Sequence, residues 1–319
     1  MLEKLKHPDP LIATILTCLV LAFLFPARGS FASVFGIITN VAIAFLFFLY
    51  GARLSPQEAL AGLTNWRLQL TILAFTFVVY PLLGVALFPT TGFLSHDLYQ
   101  GIVYLTLVPS TVQSCVAFTG VAGGNASAAV VSASVSSIVG VVLTPLLAMW
   151  LMSAHGGVHI DSSVFGDIAL QLLLPFIIGQ LTHRWTKSFA SNKTTKKFDR
   201  LSIGMVVYGA FSKGIVSGVF HRVKLWELLF LIALAVALVY LMFWLTRFVS
   251  TKLGFDRRDT IAIQMCGTQK SLAAGLPMAT VIFGGGSIGL LILPLMIYHL
   301  TQLVISSGVA ARYARANAD

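Results

Sequence analysis

Residues 261–277 read IAIQMCGTQKSLAAGLP. The stretch lies inside a long apolar run, yet Gln264, Gly267, Thr268, Gln269, Lys270 and Ser271 occupy what should be the greasiest part of a membrane helix. Glycine relaxes the backbone, and a cation at mid-span costs roughly 2.5–3.5 kcal/mol on insertion scales. The segment reads as a helix interrupted at membrane depth. Residues 105–125, LTLVPSTVQSCVAFTGVAGGN, repeat the pattern with Pro109, Ser110, Thr111, Gln113 and Ser114 at the centre. Proline removes a helical hydrogen bond, and irregular backbone survives in a bilayer only when buried in protein or lining a cavity. Small-residue helix contacts would account for Gly, Ser and Ala. They do not account for Gln113, Gln264, Gln269 and Lys270.

The rest of the chain explains why such segments sit in a membrane. Of 319 residues, 57% are hydrophobic and 10% charged, against about 25% charged in soluble domains. Mean hydropathy is +0.89. Apolar runs of about 18–25 residues recur, each long enough to cross a core of about 30 Å as a helix. The composition excludes a cytosolic enzyme, a disordered chain, a disulfide scaffold and a β-barrel. Ten spans are expected, at 10–26, 32–53, 68–89, 99–122, 125–152, 166–183, 201–221, 226–246, 260–283 and 287–309. The fold class is an all-α polytopic membrane protein, with residues 1–155 and 156–319 as two five-helix repeats. No cleavable signal follows Lys4 and Lys6, so the first run is read as span 1.

A net charge of +10 and a pI near 9.7 match a nucleic-acid footprint only until the charges are placed. With the N-terminus inside, sixteen of the 21 Lys and Arg fall in cytoplasmic segments. Arg28, Arg222 and Lys224 fall outside, and Lys213 and Lys270 within spans. This is the positive-inside asymmetry, and it puts both termini in the cytoplasm of a multi-pass inner-membrane protein. The lipid bilayer is a partner; nucleic acid is not. No oligomeric state is legible. The polar stretch 183–200 reads as a solvated loop beside anionic lipid. Cys18, Cys115 and Cys266 lie within spans and imply no disulfide.

Internal repetition supports the division into halves. Thr111, Ser114 and Ala117 recur as Thr268, Ser271 and Ala274, and Leu143-Thr-Pro-Leu-Leu147 is echoed by Ile292-Leu-Pro-Leu-Met296. An odd number of helices per repeat inverts the second half, and paired broken helices in inverted repeats mark the binding site of a transporter. The eleven acids are all outside the span centres, with Asp167 and Asp259 at span edges. An antiporter working through a buried carboxylate has nowhere to keep it. No metal-ligating pair, nucleophile–base pair or phosphate loop is present, so an enzyme is not expected. His299 reads as a packed histidine, and Lys213 as snorkelling or functional in equal measure.

The proline-broken span 4 with its GGN turn, and span 9 with GTQKSLAAGLP, resemble the bile acid:sodium symporter superfamily (BASS/SBF). The fit is to its SBF-like branch, related to the seventh solute-carrier-10 member. The resemblance implies a panel bundle and a core bundle, with broken helices 4 and 9 crossing in the core. It implies secondary transport of a small organic anion, usually coupled to sodium. Aligning span 4 on its proline and GN turn puts the family's sodium-ligand serine on Ser114. The neighbouring asparagine falls on Cys115, two hydroxyl ligands on Ala129 and Ala133 to within a residue, and the shared glutamate on Gln264. Ser132, Ser134 and Ser136 could substitute if the register slips, but nothing restores the carboxylate. The sodium site is weakened, with Ser114 and Gln264 its remaining candidates. The Lys270 ammonium is then expected in the crossing region in place of a bound cation, either carrying a coupling proton or binding the anion directly. The substrate or ion site is expected to comprise Ser110, Thr111, Gln113, Ser114, Asn125, Gln264, Thr268, Gln269, Lys270 and Ser271. No cofactor is expected beyond Na+ or H+ as coupling ion. The competing readings are a cation/proton exchanger and an ion-homeostasis regulator on the same fold.

Overall fold

Apolar residues in runs of this length bury their own backbone hydrogen bonds by coiling, and helices are what a computed structural model of the chain shows. It describes residues 10–53, 65–154, 166, 169–218, 223–283 and 288–316, and no strand occurs among them. In chain order, α1 is Pro10–Leu24 and α2 Gly29–Arg53. The third rod, α3, runs from Trp66–Ala74 through a π-turn at Phe75–Val79 into Tyr80–Ala86. Then come α4, His96–Leu107; α5, Gln113–Val121; and α6, Ala126–Ala154. Next, α7 joins Ala169–Leu173 to Leu174–Leu181, followed by α8, His183–Ala190, and α9, Lys193–Val216. The last four are α10, Leu225–Lys252; α11, Arg257–Thr268; α12, Leu272–Phe283; and α13, Ile288–Arg315. Five helical stretches among the described residues are long and apolar enough to span a membrane, and α1 and α7 contribute shorter apolar helices. The protein is a multi-pass helical membrane protein.

Two expectations change. The polar stretch 183–200 is not a loop: α8 occupies its first half, and α9 starts at Lys193, eight residues before the expected span. Thr195 closes the corner between the two helices by donating its hydroxyl to the Ala190 carbonyl at 2.7 Å. Helix α10 likewise runs past its expected end, to Lys252. Several charges used above lie outside the described residues: Lys4, Lys6, Arg222, Glu3, Asp9, Glu58, Asp161, Asp167 and Asp319. So does the boundary between the halves at residues 155 and 156.

The chain forms two compact units, each drawing on both halves of the sequence. Unit 1 comprises Met1–Leu54, Asp161–Arg222 and Leu276–Leu290. Within it, α2 and α7 touch through glycine: a Cβ on Gly51 would meet the Phe176 carbonyl, and one on Gly179 the Phe48 carbonyl. Small residues let membrane helices approach this closely. The final carbonyls of α2 are satisfied by side chains, Gln180 donating to Gly51 at 2.9 Å and His183 Nδ1 to Ala52 at 2.8 Å. Arg53 pairs with Asp199 and donates to the Ala190 carbonyl at 2.6 Å. Lys213, on α9, is exposed.

Unit 2 comprises Ser55–Ile160, Val223–Gly275 and Leu291–Asp319. It holds α3–α6, α10, α11, the start of α12 and α13 from Leu291 onward. Glycines again permit close packing, Gly140 against Pro109 and Gly101 against Pro294. Both breaks, at residues 108–112 and 269–271, fall in this unit.

Candidate functional site

The first interruption follows from Pro109. Helix α4 stops at Leu107, Val108 turns extended (φ −72°, ψ 151°), and helix resumes at Gln113. The second follows the Gly267-Thr268 step: α11 stops at Thr268, Gln269 is extended (φ −87°, ψ 144°), and α12 begins at Leu272. The two extended segments are hydrogen-bonded to each other. The Ser271 amide donates to the Pro109 carbonyl at 2.8 Å, and the Ser110 hydroxyl to the Cys266 carbonyl at 2.7 Å. The interrupted helices therefore meet at their breaks, as anticipated.

A polar cluster lies on this junction. Thr111 and Ser114 donate to Gln269 Oε1 at 2.7 and 2.5 Å, and their hydroxyls touch each other at 2.5 Å. Gln269 is fully buried, and its amide nitrogen has no partner among the described residues; the same holds for the Thr268 hydroxyl. Buried polar atoms are nearly always satisfied, so each such orphan calls for an explanation. The Ser110 amide donates to the Ser136 hydroxyl at 3.1 Å, and Ser271 caps α12 by accepting from the Ala274 amide at 3.2 Å.

Lys270 is fully buried. Its ammonium donates to three main-chain carbonyls, Thr76 at 2.9 Å, Thr106 at 2.7 Å and Val108 at 3.0 Å, and lies 4.1 Å from the centre of the Tyr80 ring. Local sequence explains why the Thr76 and Thr106 carbonyls are free. In the π-turn the Tyr80 amide bonds back to Phe75, and the donor next in register is residue 81. Residue 81 is proline, which has no N–H. Thr106 would have received the Ser110 amide, which goes to Ser136 instead. Lysine has three N–H donors and no acceptor, so three carbonyls match an ammonium in full. No donor is left over for an anionic ligand.

The peptide group of Lys270 is held as firmly. Gln302 accepts from the Lys270 amide at 2.7 Å and donates to the Lys270 carbonyl at 2.8 Å. His299 packs beside this clamp, its Nδ1 2.9 Å from the Gln302 amide nitrogen. The freed Thr268 carbonyl accepts from Tyr80 at 2.5 Å and Tyr298 at 2.8 Å, and Tyr104 donates to Gly275 at 2.6 Å. Sequence reading missed Gln302, Tyr80, Tyr104 and Tyr298. Gln302 was findable as an amide inside an apolar run, and Tyr80 by its place before Pro81.

Three expected site residues do not join the cluster. Gln113 is exposed at the start of α5. Gln264 is buried, but it donates to the Phe243 carbonyl at 2.9 Å and accepts from Tyr313 at 2.8 Å, away from the partners of Ser114. Asn125 caps α6, accepting from the Ala128 amide at 3.0 Å, and donates to Asp259 at 2.7 Å. That pairing fastens the GGN turn to the start of α11.

Interrupted helices joined at their breaks inside a helical membrane unit are the architecture of secondary transporters. Residues 9–315 match the SBF-like CPA transporter family, and the chain belongs to it. It is 44% identical over 311 residues to "Putative symporter YfeH" of Escherichia coli strain K12, covering 96% of this chain and 93% of the relative. It is 44% identical over 315 residues to "Uncharacterized protein PA2026" of Pseudomonas aeruginosa, covering 98% and 95%. It is 31% identical over 280 residues to "Sodium/bile acid cotransporter 7" of Rattus norvegicus, covering 85% and 81%. The protein is a member of a transporter family, not an enzyme.

Proposed function

We propose that the protein carries small organic anions across the inner membrane by alternating access. The ten spans form a five-plus-five inverted repeat over residues 1–155 and 156–319, with both termini cytoplasmic. The observation that carries this reading is the Thr111–Ser114–Gln269 cluster at the junction of the two breaks, with the Gln269 amide N–H groups buried and unpartnered. An amide donor beside the first turn of α5, where helix N–H groups carry positive partial charge, suits a carboxylate or sulfonate. Ser110, Thr111, Ser114, Gln269 and Ser271 form the working site. Thr268 and Lys270 hold its backbone.

The name of the rat relative, sodium/bile acid cotransporter 7, gives sodium and bile acid as that protein's own cargo. Here the side-chain donors for sodium are poor: the methyl side chains of Ala129 and Ala133 carry no oxygen, Cys115 offers sulfur, and Gln264 is engaged by Phe243 and Tyr313. Coupling passes instead to the Lys270 ammonium, whose proton takes the place of the co-transported ion. Its three carbonyl partners favour this over direct capture of the anion.

Uptake of a panel of radiolabelled carboxylates and sulfonates into proteoliposomes tests the proposal, with imposed sodium or proton gradients. Anion uptake driven by a proton gradient and lost in Gln269→Ala is expected. Cation flux without any organic solute would replace this reading with the exchanger. Normal transport by Lys270→Gln with unchanged pH dependence would remove the lysine from coupling.

A further inference from the structure

The carbonyl oxygens of Thr76, Thr106 and Val108, roofed by the Tyr80 ring, have the makings of a binding site in their own right. They come from two separate interruptions, the π-turn of α3 and the broken end of α4, and none belongs to the residue that fills them. Converging main-chain carbonyls that replace a hydration shell are how channel filters hold alkali cations, and an aromatic face adds attraction for a cation. The Tyr80 ring is itself fixed, because its hydroxyl is committed to the Thr268 carbonyl and Tyr298. Helix ends contribute as well: the C-terminal end of α4 carries negative partial charge, so the cage lies where a positive charge is favoured.

We infer that this cage is a monovalent-cation site, occupied in the native protein by the ammonium of Lys270 as a tethered ligand. The oxygens stand 2.7–3.0 Å from Nζ, the spacing of N–H···O bonds. That spacing selects ammonium, methylammonium or potassium over the smaller sodium ion. This deepens the coupling part of the proposed function, since it rests on Lys270 being the charged group at the break. It is independent of which anion is carried, because it is read by stability and not by flux.

The consequence is rescue. Lys270→Ala removes the tether and leaves room, so the cage becomes available to a free cation. Lys270→Met removes the charge but fills the space. The test is thermal unfolding of the purified wild type and both variants in ammonium, methylammonium, potassium, sodium and choline chloride, at one pH and ionic strength. A ligand that binds only the folded state raises the midpoint with its concentration. The wild type is expected to unfold at one temperature in all five salts, and Lys270→Met at a lower but equally salt-independent one. Lys270→Ala is expected to be lowest in choline and to rise with ammonium, methylammonium and potassium, less with sodium. An equal midpoint for Lys270→Ala in all five salts overturns the inference. If the alanine variant does not survive extraction in choline chloride, recovery of folded monodisperse protein in ammonium chloride supports the site. Equal failure in every salt rejects it. Loss of anion transport with intact cation rescue would leave the cage standing and the transport reading in question.

Discussion

The two units solve the same problem by opposite means. Among its described residues unit 1 has no extended break inside a helix, although α7 opens on a π-turn, and its contact of α2 on α7 depends on what is absent: side chains at Gly51 and Gly179. Its polar bonds sit at helix ends, where Gln180, His183 and Arg53 collect the last carbonyls. Unit 2 breaks two helices and puts a π-turn in a third, and it buries hydroxyls, amides, tyrosines and one lysine, several of which satisfy the carbonyls so released. In lipid no water can take over those bonds. Buried polar side chains therefore gather where the backbone turns extended, whereas the α2–α7 contact of unit 1 relies on small residues and on polar bonds at helix ends.

This contrast predicts where substitutions hurt. The largest effect is expected for Lys270→Met, which strands three buried carbonyls at about 1–3 kcal/mol each. Thermal unfolding in detergent should show the lowest midpoint of the set, with uptake abolished. Next comes Gly179→Leu, whose side chain would meet the backbone of α2; overpacking of this kind costs about 1–3 kcal/mol. It should lower the midpoint and leave the Thr111–Ser114–Gln269 chemistry unchanged. A Gly179→Leu protein as stable as wild type would refute the close packing of α2 on α7.

Gln302→Leu removes both bonds to the Lys270 peptide and should cost about 2 kcal/mol. Gln302→Glu keeps the acceptor and loses the donor, so it should fall between the two; a glutamate variant no better than leucine would show that the clamp is not the reason. Thr111→Val should shift stability by about 1 kcal/mol or less. It should nonetheless reduce anion uptake strongly, separating the working site from the scaffold that holds it. The smallest effect belongs to Arg53→Ala: the ion pair with Asp199 is partly exposed, at 22% and 15%, and such pairs contribute about 1 kcal/mol or less. Its contribution should shrink further in high salt, which unfolding at two ionic strengths would read directly.

How far the sequence reaches differs from residue to residue. Both interruptions were legible because Pro109, Gly267 and the polar residues around them contradict an apolar run. Lys270 was legible for the same reason, since a mid-span cation has a high cost. The roles of Gln264, Asn125 and Gln113 were not legible, because a polar residue inside a span can serve a ligand or a neighbouring backbone equally well. The helices in 183–200 were missed because hydrophilic composition was read as loop, although it also suits a helix at a membrane surface.

By itself the sequence determined that the chain is a multi-pass helical membrane protein and that two of its helices are broken. Those conclusions need only local physics: bilayer thickness, hydropathy, and the missing N–H of proline. Which groups satisfy the breaks was decided by the tertiary structure alone. Lys270 meets Thr76, Thr106 and Val108 across 162 residues or more of chain, and Gln302 reaches back 32. A freed carbonyl accepts from whatever donor packing brings within about 3 Å. Sequence spacing holds no record of that choice.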